Sequence, residues 1–124
     1  MDKNKKPYDN LKKIFHEPKR MAIMSALCAA GKGLTFTELK SECDLTDGNL
    51  NRHLKALSDA DAVKIKKRFV GLKPQTTILL TDKGLEHFSE YLNALQEVLN
   101  QALQSVPDKK EESLPGIVNT IHAV

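Results

Sequence analysis

Between residues 48 and 55 the chain sets Gly48, Asn49, Asn51, Arg52 and Lys55 close together, a group rich in hydrogen-bonding side chains and free of acid. An arginine fork matches the N7 and O6 acceptors of guanine, and an asparagine amide matches N6 and N7 of adenine, each through paired hydrogen bonds. Lys55 suits a phosphate better, as a compact point charge. Gly48 lets backbone approach closely, and a helix N-terminus at that point would itself attract an anion. A second set follows at Lys66, Lys67, Arg68, Lys73, Gln75 and Thr76. Cations on a narrow projection can lie along a phosphate backbone or enter a minor groove, where arginine responds to narrow width and negative potential. What these residues share is recognition of a polyanion and of base edges, not bond making. Singly, each is also what any solvated surface carries; the clustering favours the sharper reading.

The charge distribution points the same way. Residues 48–76 hold seven Lys/Arg against Asp59 and Asp61, a local net of +5, and residues 1–20 a local +4, in a chain whose total is only +3. The rest is therefore acidic, and a basic stripe on an acidic background is an electrostatic footprint for phosphate. Aromatic residues make up 5% and none alternate with basic ones along a strand, which argues against single-strand or RNA stacking platforms.

Other chemistries find little support. There is no glycine-rich phosphate loop, G-x-S-x-G elbow or H-E-x-x-H, and Glu86 and Glu90, four apart, read as a solvated helical pair. We expect no catalysis and no cofactor. His16, Cys28, Cys43, His53, His87 and His122 lack C-x-x-C or H-x-x-H spacing, so no metal site is expected. The longest mostly apolar run, Met21 to Ala30, is too short to span a bilayer, and the first residues lack the apolar core of a signal peptide. The expectation is a cytoplasmic chain whose Cys28 and Cys43 are free thiols, both at least partly buried.

The elements that must position these residues can be read in order. Tyr8, Leu11, Ile14 and Phe15 predict a short helix over 8–15. Pro18 suits the first turn of a second helix, with Met21, Met24, Leu27 and Cys28 as its apolar stripe and Gly31-Lys-Gly33 as its stop. Thr35 and Glu38 form a capping box for a helix over 36–42 burying Phe36 and Leu39. Thr46 caps the next helix, over 46–60, which turns Leu50, Leu54 and Leu57 inward with His53 as a semi-buried neighbour. Gly48, Arg52 and Lys55 then face outward. Val63–Ile65 and Thr77–Leu80 read as strands around a Gly71–Gln75 loop that Pro74 would stiffen. Thr81 caps a long helix to about Val106, ended by Pro107 and a charge run, and the apolar residues of 114–124 can dock as a short helix.

On that last helix Leu85, Leu92, Leu99 and Val106 recur every seven residues, with Phe88, Leu95 and Ala102 interleaved, and Tyr91 and Val98 widen the stripe enough for the first turns to pack on their own domain too, leaving the far half from Leu95 onward exposed in a monomer. A seam of that kind predicts a homodimer paired through Leu92, Leu95, Leu99, Ala102 and Val106, with residues 8–15 as candidates to join. The competing expectation is that the tail folds back and covers the seam within one chain. The fold class expected is mainly α with a small β-hairpin wing: a winged helix-turn-helix with a long C-terminal dimerisation helix, spanning 8–106, with a tail at 107–124.

Together, "GNLNRHLKALSDADAVKIKK" and "GLKPQTTILLTDKGLEHF" resemble the winged-helix transcriptional regulators of MarR and ArsR type, over roughly residues 15–106. His16-x-Pro18-x-Arg20 resembles the same group. The resemblance implies a cytoplasmic, homodimeric regulator that binds double-stranded DNA, with the helix about 46–60 in the major groove and the wing about 66–76 on the backbone or minor groove. By position, Gly48, Asn49, Asn51, Arg52 and Lys55 match the helix contacts, and Arg68 and Lys73 the wing; Lys67, Gln75 and Thr76 join them by their place beside the tip. Metal-sensing relatives carry Cys-x-Cys where this chain has Glu42-Cys43-Asp44-Leu45, with one cysteine. A small-molecule effector is compatible with the family, but no residue identifies one. The alternative is a winged-helix protein-interaction module without specific DNA binding.

Overall fold

The structure, a computed structural model, describes residues 12–31 and 33–107. Its elements run α1 (Pro18–Ala30), β1 (Leu34–Thr35), α2 (Phe36–Cys43), α3 (Asp47–Asp59), β2 (Val63–Val70), β3 (Lys73–Leu80) and α4 (Asp82–Ser105). Each helix starts where the side chains can satisfy its first N–H groups. The Glu17 carboxylate accepts from the N–H of Lys19 and Arg20 ahead of α1. Thr35 and Glu38 close the reciprocal capping box of α2. Thr46 and Thr81 accept from the N–H of Asn49 and Gly84 to open α3 and α4. The winged helix-turn-helix with a long last helix is as the spacing of apolar residues predicts.

The sheet is antiparallel in the order β1-β3-β2. Two features differ from the sequence reading. Two residues, Leu34 and Thr35, form a strand that pairs with Ile78 and Thr77, too short to leave any alternating pattern. The hairpin is also longer than expected: β2 and β3 pair in unbroken register from Val63↔Leu80 to Val70↔Lys73 around a two-residue turn, Gly71-Leu72. Gly71 has φ +66° and is the only positive-φ residue of that turn, the geometry of a type II′ hairpin that takes glycine first. Pro74 is therefore a strand residue opposite Phe69, not a loop stiffener. It is tolerated because β1 reaches only Thr77 and Ile78, so β3 has an open edge there that needs no N–H.

The core gathers Ile23, Met24 and Leu27 of α1, Leu39 and Cys43 of α2, Leu50, Leu54 and Leu57 of α3, Ile78 of β3, and Phe88 and Tyr91 of α4. Phe15 completes an aromatic group with ring centroids 5.3 Å from Phe88 and 5.8 Å from Tyr91. The Tyr91 hydroxyl reaches His16 Nδ1 at 2.8 Å and Met21 Sδ at 3.2 Å, tying the segment before α1 to α4. Gly84 lets α4 dock: a Cβ there would lie 2.1 Å from the Ala62 carbonyl oxygen, which already accepts from the Thr81 N–H at 3.1 Å.

Four further expectations are corrected or bounded. Cys28 is exposed, because the inward stripe of α1 runs through Ile23, Met24 and Leu27; only Cys43 is buried, and both thiols are free. The helix expected over 8–15 begins outside the described residues, and Lys13–Phe15 form a turn in which the N–H groups of Phe15 and His16 both donate to the Lys12 carbonyl. The segment 108–124, where the docking tail was expected, lies outside the described residues as well. On α4 the first turns pack on the chain's own domain, as the widening at Tyr91 predicts, but Phe88 and Leu95 leave the seam and turn to the core. Gly84, Phe88, Tyr91 and Ala94 are buried in the chain's own core with Leu95 packed beside them, whereas Leu85, Leu92, Leu99, Leu103 and Val106 are exposed.

Candidate nucleic-acid interface

The position of α3 is set by what it buries. Leu50, Leu54 and Leu57 face the core with almost no exposure, and at about 100° per residue this turns Gly48, Asn49, Asn51, Arg52 and Lys55 to solvent. Asp47, in the first turn, pairs with Lys40 of α2 at 2.7 Å, an exposed ion pair between the two helices of the motif. A methyl added at Gly48 would meet nothing within 4 Å, so the fold itself does not demand glycine there. Arg52 Nη2 donates to Asn49 Oδ1 at 3.4 Å, and Lys55 Nζ lies 3.3 Å from Asp59. Both contacts are exposed and weak, so either cation can be drawn to an external ligand at little cost.

His53 is the polar member of the inner face, 6% exposed. Its Nδ1 lies 3.5 Å from Arg20 Nη1 and 3.6 Å from Glu17 Oε2. Arg20 is itself anchored by donation from Nε to the Ile14 carbonyl at 2.7 Å. Burial lowers the His53 pKa; Glu17 pulls it up, while Arg52 and Arg20 push it down further, and the net direction is down. The neutral ring is thus favoured, with Nδ1 accepting from Arg20. Burial alone would raise the Glu17 carboxyl, but the Arg20 and Lys19 N–H groups with the nearby cations outweigh it and lower its pKa. The N-terminal end of α1 thereby braces the inner side of the helix that displays Arg52.

The ribbon of β2 and β3 stands beside α3. Between Asp61 and Asp82 there is no acidic residue, while Lys64, Lys66, Lys67, Arg68 and Lys73 are all exposed. Among the described residues none of these five lies within ion-pair distance of a carboxylate. The register splits the wing residues between two faces. Lys67 pairs with Thr76 on the face toward α3, and Arg68 pairs with Gln75 on the other, the face that Lys73 shares. One cleft of about 470 Å³ brings Asn51 and Lys55 together with Lys67 and Thr76, floored by Leu54 and Ile65. A second, also about 470 Å³, joins Lys73, Gln75 and Thr76 to Thr35 and Thr37 at the start of α2. Arg68 lines neither. Of the residues singled out from the sequence, Asn51, Lys55, Lys67 and Thr76 thus line one cleft and Lys73, Gln75 and Thr76 another, while Gly48, Asn49, Arg52 and Arg68 are exposed outside both.

Two groups escaped the sequence reading. Glu17 and Arg20 act by bracing His53, and only the His16-x-Pro18-x-Arg20 spacing hinted at them. Phe69, Val70 and Leu72 are exposed at the ribbon's tip, where apolar residues would ordinarily be read as core strand.

This arrangement can be set beside known proteins. A family model described as a winged helix DNA-binding domain matches residues 19–99. The chain belongs to that family. An uncharacterised protein of Methanocaldococcus jannaschii is 37% identical over 83 residues, 64% of this chain and 86% of that one. The structure of a transcriptional regulator homologue protein from Pyrococcus horikoshii OT3 is similar with a TM-score of 0.69 and 29% identity, over 76% of this chain and 93% of that one. A MarR-family transcriptional regulator from Silicibacter pomeroyi shares the fold at 17% identity, with a TM-score of 0.55 over 94% and 80% of the two chains. Among the described residues no three His, Cys, Asp or Glu side chains converge as a metal site would require, and no helix is long and apolar enough to cross a membrane.

Proposed function

We propose that this winged-helix chain binds double-stranded DNA sequence-specifically as a cytoplasmic homodimer and thereby regulates transcription. The observation that carries the reading is the outer face of α3: Asn49, Asn51, Arg52 and Lys55 stand exposed around an unobstructed Gly48, beside a ribbon with five cations and no acid. In this reading Arg52 contacts guanine and Asn49 or Asn51 adenine in the major groove, while Lys55 takes a phosphate. Lys67 and Thr76 continue the contact from the cleft onto the backbone, and Arg68, Lys73 and Gln75 serve the far side of the wing. Pairing of two copies rests on α4, whose Leu92, Leu99 and Leu103 stay exposed on one long helix with Val106 exposed just past its end. A carboxyl-terminal half with that much apolar surface calls for a cover. Leu95 and Ala102 border this line, Leu95 from the core side.

A gel shift with promoter fragments from the parent genome, at stated salt, tests the reading. Retention of a discrete complex against excess random-sequence duplex supports it. Equal competition by specific and random duplex would leave only non-specific attraction, and absence of any complex would favour a protein-interaction module.

A further inference from the structure

The wing ends in apolar side chains that the fold does not use. Phe69, Val70 and Leu72 are 73%, 54% and 97% exposed, and none belongs to the core. Past Ile65↔Ile78, the last rung with neither residue exposed, the ribbon runs five more residues to Val70, roughly 16 Å of projection at strand rise. The tight Gly71-Leu72 turn holds Leu72 at its outermost point, with Phe69 on the α3-facing side of the ribbon opposite Pro74. Lys66, Lys67, Arg68 and Lys73 surround this tip with no acid among them.

A ligand for such a tip must accept an apolar group between flanking negative charges. A minor groove does so: phosphates line both rims, and leucine or phenylalanine can wedge between base steps, kinking the duplex away. Continuity favours this occupant over an acidic protein surface, since the Lys67–Thr76 rung at the root of the projection shares a cleft with Asn51 and Lys55 of α3. We propose that Leu72, backed by Phe69, enters the minor groove beside the site held by α3, partly unstacks one base step and bends the DNA. The inference rests on the reading of α3 as the major-groove element.

The test uses the full-length protein and a duplex of about three helical turns that it has selected from a random pool. The duplex carries end labels for energy transfer and 2-aminopurine at successive flanking steps. The wild type should bend it by at least about 20° at each wing and raise 2-aminopurine fluorescence at one step per flank. Leu72→Ser and Phe69→Ser, verified as folded by circular dichroism, should still bind with the same dependence on salt but leave the duplex straight and the probe quenched. A straight duplex under the wild type, or equal bending by both variants, overturns the wedge while binding itself upholds the role of α3. A shift in oligomeric state by Leu72→Ser without loss of bending would assign the tip to a second copy and likewise overturn it. Failure to select any duplex would remove the DNA-binding reading and the wedge with it.

Discussion

At the residue scale, two side chains on one helix have opposite duties. Arg52 has no structural burden beyond a 3.4 Å contact to Asn49, so Arg52→Ala should leave the melting temperature unchanged. It should lower specific affinity by about 1–3 kcal/mol and relax the preference at one base pair, as binding to a panel of single-base variants would reveal. A uniform loss across the panel would instead make Arg52 a phosphate contact. His53 faces the other way and couples the fold to pH. Its folded pKa is lowered below the usual 6.5, so the unfolded chain takes up a proton more readily than the native one. The stability it contributes is complete above pH 6.5 and is lost as pH falls through the folded pKa. Thermal unfolding followed from pH 7.5 to 5 should show that decline, and His53→Gln should flatten it. An identical decline in the variant would place the acid sensitivity elsewhere. Glu17, also lowered, acts in a separate window below its ordinary 4.5.

At the element scale, the wing and α3 should be separable in solution. Neutralising Arg68 and Lys73 should weaken binding to all sequences alike and flatten log affinity against log salt by about 0.9 for each phosphate left without its cation. Since these two residues lie on the face of the ribbon away from Lys67, a third neutralisation at Lys67 should reduce the slope further. An unchanged slope in all three would mean that the ribbon does not meet phosphate. The elements also show what the sequence could disclose. Thr35 with Glu38, Thr46 and Thr81 marked three helix starts, because a cap is a local interaction between neighbours in the chain. The outward set on α3 was legible for the same reason: helical periodicity alone separates Arg52 from Leu50, Leu54 and Leu57. Other features depended on distant partners. β1 exists only because β3 accepts it, and the hairpin's length is fixed by pairing that carries Lys66–Val70 into solvent, where no apolar alternation announces a strand. Cys28 turns outward, and Phe88 and Leu95 turn from the α4 seam to the core, because several faces of a helix can carry apolar residues and only packing decides which is buried.

At the scale of the whole molecule, the proposed reading gives α4 two jobs along its roughly 36 Å length. Phe88 and Tyr91 hold it to its own domain, and Leu92, Leu99 and Leu103, with Val106 just past its end, are exposed among the described residues. Leu99→Glu should therefore leave the monomer's fold intact and shift the protein from dimer to monomer in sedimentation equilibrium at micromolar concentration. A wild type already monomeric there would overturn pairing through α4. A two-fold pair would carry two copies of α3 toward successive major grooves, and the same symmetry must then appear in the DNA. Repeated selection of bound duplexes from a random pool, followed by sequencing, therefore bears most directly on the central claim that the α3 face reads double-stranded DNA. The expected result is a palindromic motif whose half-sites lie about 10–10.5 base pairs apart, centre to centre, or a multiple of that spacing. A final pool indistinguishable in sequence from the starting one would contradict it.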